Sequence, residues 1–212
     1  MDKRRFGLIK VIFMAVILAA GLSRRMGGFK PLLKIDGVTI TDRLTASFRE
    51  NGVDVYVVAG YRRNDLAAGI ISKGITIVDN PDYERGMFTS VQAGVRALGS
   101  SYAGTFMAPL DIPLVSPATI RTLLEAAGEH PGKVIHPTFR GRRGHPPLVP
   151  AALFPAITGE PPDSSLKEVL GRYRDQAVDV DVPDRNIHID IDRPADYENV
   201  LAWHTEKRGT GR

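Results

Sequence analysis

The sequence predicts an α/β fold with three layers and a mainly parallel central sheet. Two aliphatic segments, at residues 11–18 and 53–59, and a further apolar segment at 103–108 are predicted strands; the continuous aliphatic run at 11–18 is typical of a strand buried on both faces. Segments with the spacing of amphipathic helices lie between these runs. Repeated strand–helix units of this kind favour helices on both faces of one sheet. In such sheets, ligands bind at the carboxyl ends of the strands.

The length and composition are typical of one globular domain. The chain has 212 residues, of which 43% are hydrophobic and 25% are charged, and this excludes a disordered, collagen-like or coiled-coil protein. It contains no cysteine, so disulfides, thiolate metal sites and cysteine nucleophiles are excluded. The formal net charge of +4 is modest for a nucleic-acid-binding protein and suits small phosphorylated ligands as well. We expect neither a nucleic acid nor a membrane as a partner.

The N-terminus permits three interpretations. Basic residues 3–5 precede the apolar run 11–20 and resemble a secretory signal peptide, while the run is short for a membrane span of about 20 residues. The third interpretation, a buried first strand, is favoured because the residues that follow suit a ligand site. We therefore expect a cytoplasmic protein with an N-terminal extension at 1–13, a single domain at 14–204 and a polar tail at 205–212. Secretion is the alternative.

In the first half of the chain, turn residues mark the ends of the predicted elements. The helix at 42–50 carries Leu44 and Phe48 four residues apart and is closed by Asn51-Gly52, as a helix C-terminus commonly is. The Asn80-Pro81 turn ends the strand at 75–78. The predicted elements are strands at 11–18, 53–59 and 75–78 and helices at 42–50 and 89–98.

The second half continues the alternation of strands and helices. Pro117 fits the first position of a helix, and Asp163 can cap a helix that contains Leu166, Val169, Leu170 and Tyr173. The remaining elements are strands at 103–108 and 134–136, a basic loop at 140–147, an exposed or edge strand at 178–182, a second alternating strand at 187–191, and a helix from 194 to about 204.

The segment after the first strand has the features of a phosphate-binding loop. Small residues at 19–21 let a nucleotide approach the backbone closely. Arg24, Arg25 and Lys30 can neutralise phosphate charges, and backbone N–H groups lie where phosphates dock in this architecture. The glycine spacing fits neither a dinucleotide-binding fingerprint nor a P-loop. An ordinary turn with solvated arginines is the alternative.

Two aspartates follow predicted strands and suit a metal ion. Asp111 comes after the strand at 103–108, and Asp192 ends the alternating strand at 187–191. Two hard carboxylates suit Mg²⁺ better than zinc. Asp190 lies on the same strand face as Asp192 and is a possible further ligand. For Asp111 alone, a turn or capping role before Pro113 is the alternative.

Five segments resemble one family. Residues 18–33, LAAGLSRRMGGFKPLL, are similar to the signature L-A-A-G-x-S-x-R-M-G-x-x-K-x-L-L of MobA-like nucleotidyltransferases, in particular the molybdenum-cofactor cytidylyltransferase branch. Residues 80–90 resemble the family's N-P-x-x-x-x-G-M-x-x-S, and residues 110–115 its G-D-x-P-L-V metal motif. Residues 144–146 match G-H-P, and residues 190–197 are similar to D-I-D-T-P-E-D-Y. The resemblance spans nearly the whole chain.

The resemblance implies a Rossmann-like nucleotide-diphospho-sugar transferase fold, and transfer of CMP from CTP to a phosphorylated acceptor of the molybdopterin type. It implies Mg²⁺ at Asp111 and Asp192, with catalytic roles for Lys30, Arg24 and Asp111. In the family, L-A-A-G accompanies cytidine transfer and L-A-G-G guanosine transfer. The implied nucleotide-binding residues are Leu18, Ala19, Ala20, Gly21, Ser23, Arg24, Arg25, Met26, Gly27 and Lys30. The implied acceptor-binding residues are Ser90, Gly144, His145 and Pro146.

Three departures from the family pattern leave the acceptor open. Pro109-Leu110 stands where a glycine precedes the aspartate, Arg193 replaces a threonine, and residues 163–166 replace the start of G-D-x-G-A-R. The alternatives are a sugar, alditol or isoprenoid phosphate as acceptor, or a non-catalytic chaperone that carries the pterin cofactor. A molybdoenzyme or its maturation chaperone is a possible protein partner.

Overall fold

The computed structural model describes residues 12–99 and 102–209, with side chains to residue 204. The strands of this part are β1 (Phe13–Leu18), β2 (Lys34–Ile35), β3 (Val38–Thr39), β4 (Asp54–Ala59), β5 (Ile75–Asp79), β6 (Gly104–Pro109), β7 (Val134–Phe139), β8 (Arg142–Arg143), β9 (Leu148–Pro150) and β10 (Ala177–Asp181). Its α-helices are α1 (Ile40–Arg49), α2 (Arg63–Gly69), α3 (Met87–Leu98), α4 (Pro117–Glu129), α5 (Phe154–Gly159), α6 (Leu166–Gly171) and α7 (Pro194–Gly209). None of the described helices is long and apolar enough to cross a membrane.

The central sheet has the strand order β10-β7-β9-β6-β1-β4-β5, and β8 pairs with β7 at one end. The pairs β1–β4, β1–β6, β4–β5 and β7–β10 are parallel. The short β9 runs antiparallel between β6 and β7. The predicted mainly parallel sheet is therefore confirmed, with β9 as an insertion that the sequence analysis missed.

Helices cover both faces of the sheet, as a three-layer fold requires. In β1, Ala15 and Ile17 pack into a core with residues of α1, α2, α4 and α7. The alternate residues Met14 and Val16 pack into a second core with α3, α5 and α6. These four residues are at most 2% exposed. Because both sides of the strand are buried, its sequence shows an unbroken aliphatic run.

Most predicted elements lie within two or three residues of their predicted positions, and the alternating segment at 178–182 contributes the edge strand β10.

The N-cap of α6 is Ser165, so the Asp163 prediction is wrong. The Ser165 hydroxyl accepts from the Glu168 N–H, and the Glu168 carboxylate accepts from the Ser165 N–H. This reciprocal capping box satisfies two N–H groups, which explains why Ser165 begins the helix.

The strand predicted at 187–191 is also wrong. The chain forms a short 3₁₀ helix (Arg185–His188) and then an irregular segment. Ile187 and Ile191 are fully buried, whereas Ile189 is half-buried, so the alternating apolar residues do not reflect a strand with one covered face. A segment without regular secondary structure can show the same alternation of apolar and polar residues when hydrogen bonds from side chains and loops hold it in place. Here the Asp184 carboxylate accepts from the Asn186 N–H, and the Asp111 carbonyl accepts from the Ile191 N–H.

The two termini differ from the predicted boundaries in small ways. Phe13, assigned to the N-terminal extension, is the first residue of β1, and the Ile12 carbonyl accepts a hydrogen bond from the Ala103 N–H. Helix α7 continues to Gly209, into the predicted tail. Residues 1–11 and 210–212 of these two predictions lie outside the described residues.

Candidate active site

A cleft of about 380 Å³ opens at the carboxyl ends of β1 and β6. Its volume is within the range of about 300–1,000 Å³ found for small-molecule sites. Every predicted nucleotide-binding residue lines it except Gly27, which lies in the turn of the loop with φ +65°. The opposite wall comes from residues near the start of α3, and the floor includes Asp111 and Asp192. The position agrees with the rule that ligands bind at the carboxyl ends of parallel strands.

Residues 18–30, here called the strand-1 loop, are anchored at both ends. At the start, the Ala19 N–H donates to the Val58 carbonyl, and the Ala20 carbonyl accepts from the Tyr61 N–H. At the other end, the Lys30 N–H donates to the Ser23 hydroxyl over 3.2 Å. The backbone of Ser23 has φ +52°, a left-handed conformation that is uncommon outside glycine. Ser23 therefore lines the cleft and also closes the loop on itself.

Two cations of the strand-1 loop hold one carboxylate. The Lys30 ammonium lies 3.0 Å from Asp192 Oδ1, and the Arg25 guanidinium lies 2.8 Å from Asp192 Oδ2. The Lys30 side chain is 13% exposed, whereas that of Arg25 is 65% exposed. Arg24 is exposed and lines the cleft. Lys30 is therefore the fixed, sheltered charge of the loop.

Three carboxylates converge beside these cations. Oxygen atoms of Asp111, Asp190 and Asp192 lie within 4.8 Å of one another. A hydrogen bond of 2.8 Å from the Ile191 N–H to the Asp111 carbonyl joins the two segments. The Asp192 N–H donates to Asp196 Oδ2, which fixes the segment to the first turn of α7. We call Asp111, Asp190 and Asp192 the carboxylate cluster.

Burial and the proximity of the three carboxylates and two cations shift the pKa values of the cluster. Burial raises the pKa of Asp111, and Asp192 adds to this while Lys30 opposes it. Burial, with Asp111 and Asp192, raises the pKa of Asp190 to about 6. Burial also acts to raise the pKa of Asp192, but Lys30 and Arg25 outweigh it and the pKa is lowered. Hard oxygen donors that repel one another in this way fit a divalent cation such as Mg²⁺ or Mn²⁺.

The wall opposite the strand-1 loop is built by Asn80, which the sequence analysis treated as a turn residue. The Asn80 amide nitrogen donates to the hydroxyls of Thr89 and Ser90 over 3.0 and 2.9 Å. Ser90 is 3% exposed and lines the cleft. Gly60 packs against Tyr83 so closely that an added Cβ would lie 2.6 Å from the ring. The Asn-Pro signal was visible in sequence, but its contact with Ser90 was not.

The predicted acceptor-binding residues do not all lie together. Ser90 lines the cleft beside the strand-1 loop, whereas Gly144, His145 and Pro146 are not among its lining residues. Gly144 packs on Ile187, where an added Cβ would lie 2.7 Å from the Ile187 carbonyl oxygen. Burial of the His145 imidazole lowers its pKa, and Asp111 opposes this. His145 is thus electrostatically coupled to the carboxylate cluster.

His136, in β7, gives a testable pH dependence of stability. Burial lowers the pKa of His136 to about 4, and Arg143 adds to this. Because the unfolded chain titrates near pH 6.5, it binds more protons than the folded protein between pH 6.5 and 4, so stability falls as the pH falls. We expect His136→Gln to reduce this loss by about 1 kcal/mol between pH 7 and 5, allowing for the partial exposure of the ring.

The measurement is urea unfolding at the two pH values, with His130→Gln as the matched control. His130 is exposed at the end of α4. The control should lose as much stability as the unmodified protein. An equal loss in the His136→Gln variant would show that His136 does not cause the effect.

Comparison with known proteins connects this architecture to a family. A family model described as the MobA-like NTP transferase domain matches residues 15–178. The molybdenum cofactor cytidylyltransferase of Escherichia coli (strain K12) is 30% identical over 192 residues, which are 90% of this chain and 96% of that protein. The nicotine blue oxidoreductase of Paenarthrobacter nicotinovorans is 29% identical over 84% of this chain and 90% of that protein.

The fold has solved counterparts. Rv0371c from Mycobacterium tuberculosis H37Rv matches with a TM-score of 0.81 at 22% identity, over 91% of this chain and 98% of that chain. A second structure of Rv0371c, a complex with manganese, matches with a TM-score of 0.71 at 18% identity, over the same shares of the two chains.

The fold, the cleft and the sequence match together define the class of protein. It is a nucleotidyltransferase with a Rossmann-like α/β fold. Within that class, the chain belongs to the MobA-like NTP transferase family, as residues 18–33 and four later segments predicted.

Proposed function

We propose that the protein transfers CMP from CTP to a phosphorylated acceptor of the molybdopterin type and releases pyrophosphate. The observation that carries this proposal is the juxtaposition of the strand-1 loop with the carboxylate cluster through the Lys30–Asp192 ion pair. A nucleotide in the cleft would meet small residues at one end and fixed cations at the other. The E. coli relative, named a molybdenum cofactor cytidylyltransferase, supports the choice of nucleotide and acceptor.

The residues of the cleft suit an in-line displacement. An oxygen of the acceptor phosphate attacks the α-phosphorus of CTP, the new P–O bond forms, and the bond to the β-phosphate oxygen breaks, so that pyrophosphate leaves. In such a transfer, catalysis consists of positioning and charge stabilisation. Lys30 would stabilise the charge on the α-phosphoryl group, because it is sheltered and fixed. Arg24 and Arg25, which are more exposed, would hold the β- and γ-phosphates.

The carboxylate cluster fits a divalent cation, and we propose Mg²⁺. Asp111 and Asp192 would hold it, with Asp190 as a third ligand. Such an ion, when bound, supplies neutralisation of phosphate charge. Asp192 would exchange its contacts with Lys30 and Arg25 as phosphates enter, since both its oxygens are occupied by these cations. The manganese complex of Rv0371c supports a divalent metal in this fold.

Base selection is assigned to Ala20 in this proposal. Ala20 is 2% exposed, lines the cleft and is fixed through its carbonyl by the Tyr61 N–H. A methyl group at this fixed position narrows the space that a glycine would leave for a purine. One methyl is worth roughly 1–3 kcal/mol in discrimination, so other residues of the cleft must contribute.

We expect a higher kcat/KM with CTP than with GTP, ATP or UTP, and a shift of the CTP:GTP ratio toward GTP by about tenfold or more in Ala20→Gly. The measurement is pyrophosphate release with molybdopterin as acceptor at fixed Mg²⁺. Ala46→Gly, at an exposed position of α1, controls for general effects of the substitution. A preference of the unmodified protein for GTP would overturn the CTP assignment. An unchanged ratio in Ala20→Gly would place base selection elsewhere.

The same assay separates the alternatives. Pyrophosphate release with a sugar, alditol or isoprenoid phosphate, but not with molybdopterin, would identify a different acceptor. Binding of the pterin cofactor without pyrophosphate release would favour a carrier. An oxidoreductase activity, as in the name of the P. nicotinovorans relative, would also contradict the proposed transfer. A cytoplasmic location and a molybdoenzyme or chaperone partner stay predictions.

A further inference from the structure

A second cavity of about 390 Å³ lies beside the active-site cleft. It is formed by the 3₁₀ helix Arg185–His188, the segment that follows it, and one face of α7. Its walls include Asp190, Val200 and Trp203. No step proposed above uses this cavity, which we call the α7 pocket.

The α7 pocket and the cleft reach the same carboxylate cluster. Asp111 and Asp192 line the cleft, and Asp190 lines the α7 pocket. Because the oxygens of all three lie within 4.8 Å of one another, a group bound at Asp190 is adjacent to a group bound at Asp192. A displacement reaction between two substrates requires this adjacency, since the attacking atom must approach to about 3–3.5 Å.

The walls of the α7 pocket combine an aromatic surface with one arginine and two carboxylates. The Arg185 guanidinium lies 4.7 Å from the centre of the Trp203 ring, and Val200 adds a buried apolar contact. Planar heterocycles stack on tryptophan and arginine planes. Arg185 can also pair with a phosphate. The pocket wall contains the carboxylates of Asp190 and Asp196. The Asp196 carboxylate already accepts hydrogen bonds from the backbone N–H groups of Asp192 and Arg193.

His188 adds a polar group whose orientation is fixed. Its Nε2 atom lies 3.2 Å from the carbonyl oxygens of Arg142 and Arg143. Carbonyl oxygens only accept hydrogen bonds, so Nε2 carries the proton and Nδ1 is the acceptor of the neutral ring. A ring nitrogen held in this way can accept an N–H of a heterocycle, which favours a ligand with ring donors.

We propose that the α7 pocket binds the acceptor as a planar nitrogen heterocycle that carries a phosphate. The ring stacks on the Arg185–Trp203 pair, and the phosphate lies beside the carboxylate cluster, where the divalent cation proposed above would offset the repulsion between phosphate and carboxylates. This inference rests on the proposed transfer to a phosphorylated acceptor, and it assigns that acceptor to a cavity separate from the nucleotide cleft. None of the acceptor-binding residues predicted from the sequence lines this pocket.

The test uses the fluorescence of Trp203, because the sequence contains one tryptophan. The unmodified protein is titrated with neopterin monophosphate, a stable pterin with a phosphate on its side chain, and emission is corrected with free tryptophan. We expect saturable quenching. Arg185→Ala should weaken this binding by at least about tenfold and leave the affinity for CTP unchanged. Arg121→Ala, an exposed arginine of α4, is the matched control and should bind like the unmodified protein.

Two further ligands show which part of the probe is recognised. Neopterin without phosphate and ribose 5-phosphate without a pterin should each bind more weakly than the complete probe. Emission that does not change, or quenching that Arg185→Ala leaves unaltered, would overturn the α7 pocket as the pterin site. By calorimetry, Trp203→Ala should bind the probe more weakly than Trp203→Phe, because only the phenylalanine keeps a ring surface; equal, normal binding by both variants would contradict stacking at residue 203.

The failure of this inference and that of the proposed function are distinguishable. If Arg185→Ala transfers CMP to molybdopterin with an unchanged KM for the acceptor, the α7 pocket is wrong and the transfer stands. If neopterin monophosphate quenches the fluorescence of the unmodified protein and Arg185→Ala weakens this binding, but no acceptor supports pyrophosphate release, the pocket stands and the transfer is wrong.

Discussion

Lys30→Ala is expected to lower kcat/KM for nucleotide transfer by about 10²–10³-fold while the protein keeps its fold. The ammonium is fixed 3.0 Å from Asp192, and the side chain is only 13% exposed. A charge held in a sheltered site stabilises developing phosphate charge without reorganisation at the moment of reaction. The measurement is steady-state pyrophosphate release, with the urea midpoint of each variant to establish that it is folded.

Lys34→Ala is the matched control for this prediction. Lys34 is exposed in β2, four residues further along the chain, and does not line the cleft. Its removal should leave kcat/KM within about twofold, because isolated surface charges contribute little. A Lys30→Ala protein with the kcat/KM of the unmodified enzyme would remove Lys30 from the mechanism.

Asp111→Asn and Asp192→Asn should each raise the Mg²⁺ concentration needed for half-maximal rate and lower kcat/KM by about 10²–10³-fold. Each change replaces a charged hard ligand with a neutral amide, which binds a divalent cation more weakly. The two variants should differ in one respect. Asp192→Asn also releases Lys30 and Arg25 from their ion pairs, whereas Asp111→Asn leaves both pairs intact.

Rates over a series of Mg²⁺ concentrations test this prediction, with Asp181→Asn as the control. Asp181 is an exposed aspartate at the end of β10, outside the carboxylate cluster. Its variant should show the Mg²⁺ dependence of the unmodified protein. Pyrophosphate release that persists in EDTA would show that the carboxylate cluster is not a catalytic metal site.

Strand β1 could be predicted from sequence because its two covered faces produce an unbroken aliphatic run. The same reasoning failed for residues 187–191, where apolar side chains are buried but the backbone does not pair with a neighbouring strand. Ile187 and Ile191 are fully buried, but the segment that holds them forms no strand. The strand β9 has three residues, too few for a pattern, and it pairs with residues of β6 that are 42–46 positions away and with Ile135 of β7, 13 positions away.

The candidate site was predictable to the extent that it is continuous in sequence. The strand-1 loop is one segment, so its small residues and cations could be recognised together. The contact between Lys30 and Asp192 joins residues that are 162 positions apart. The charges of two side chains do not predict that residues so far apart in the sequence are in contact. Asn80 illustrates the same limit, because its turn signal was visible while its hydrogen bond to Ser90 depends on how α3 packs.

The paired cations on Asp192 have a consequence for the order of events during binding. Before any ligand arrives, this carboxylate occupies the positions on Lys30 and Arg25 that phosphate oxygens would take. Under the proposed function, nucleotide and metal are therefore thermodynamically linked: phosphates that claim the cations free Asp192 to coordinate, and a cation on Asp192 frees the amino and guanidinium groups for phosphates. By reciprocity, each ligand raises the affinity for the other by the same factor. The ion pairs thus bias the protein toward taking up the metal–nucleotide complex as a unit and against holding either component alone.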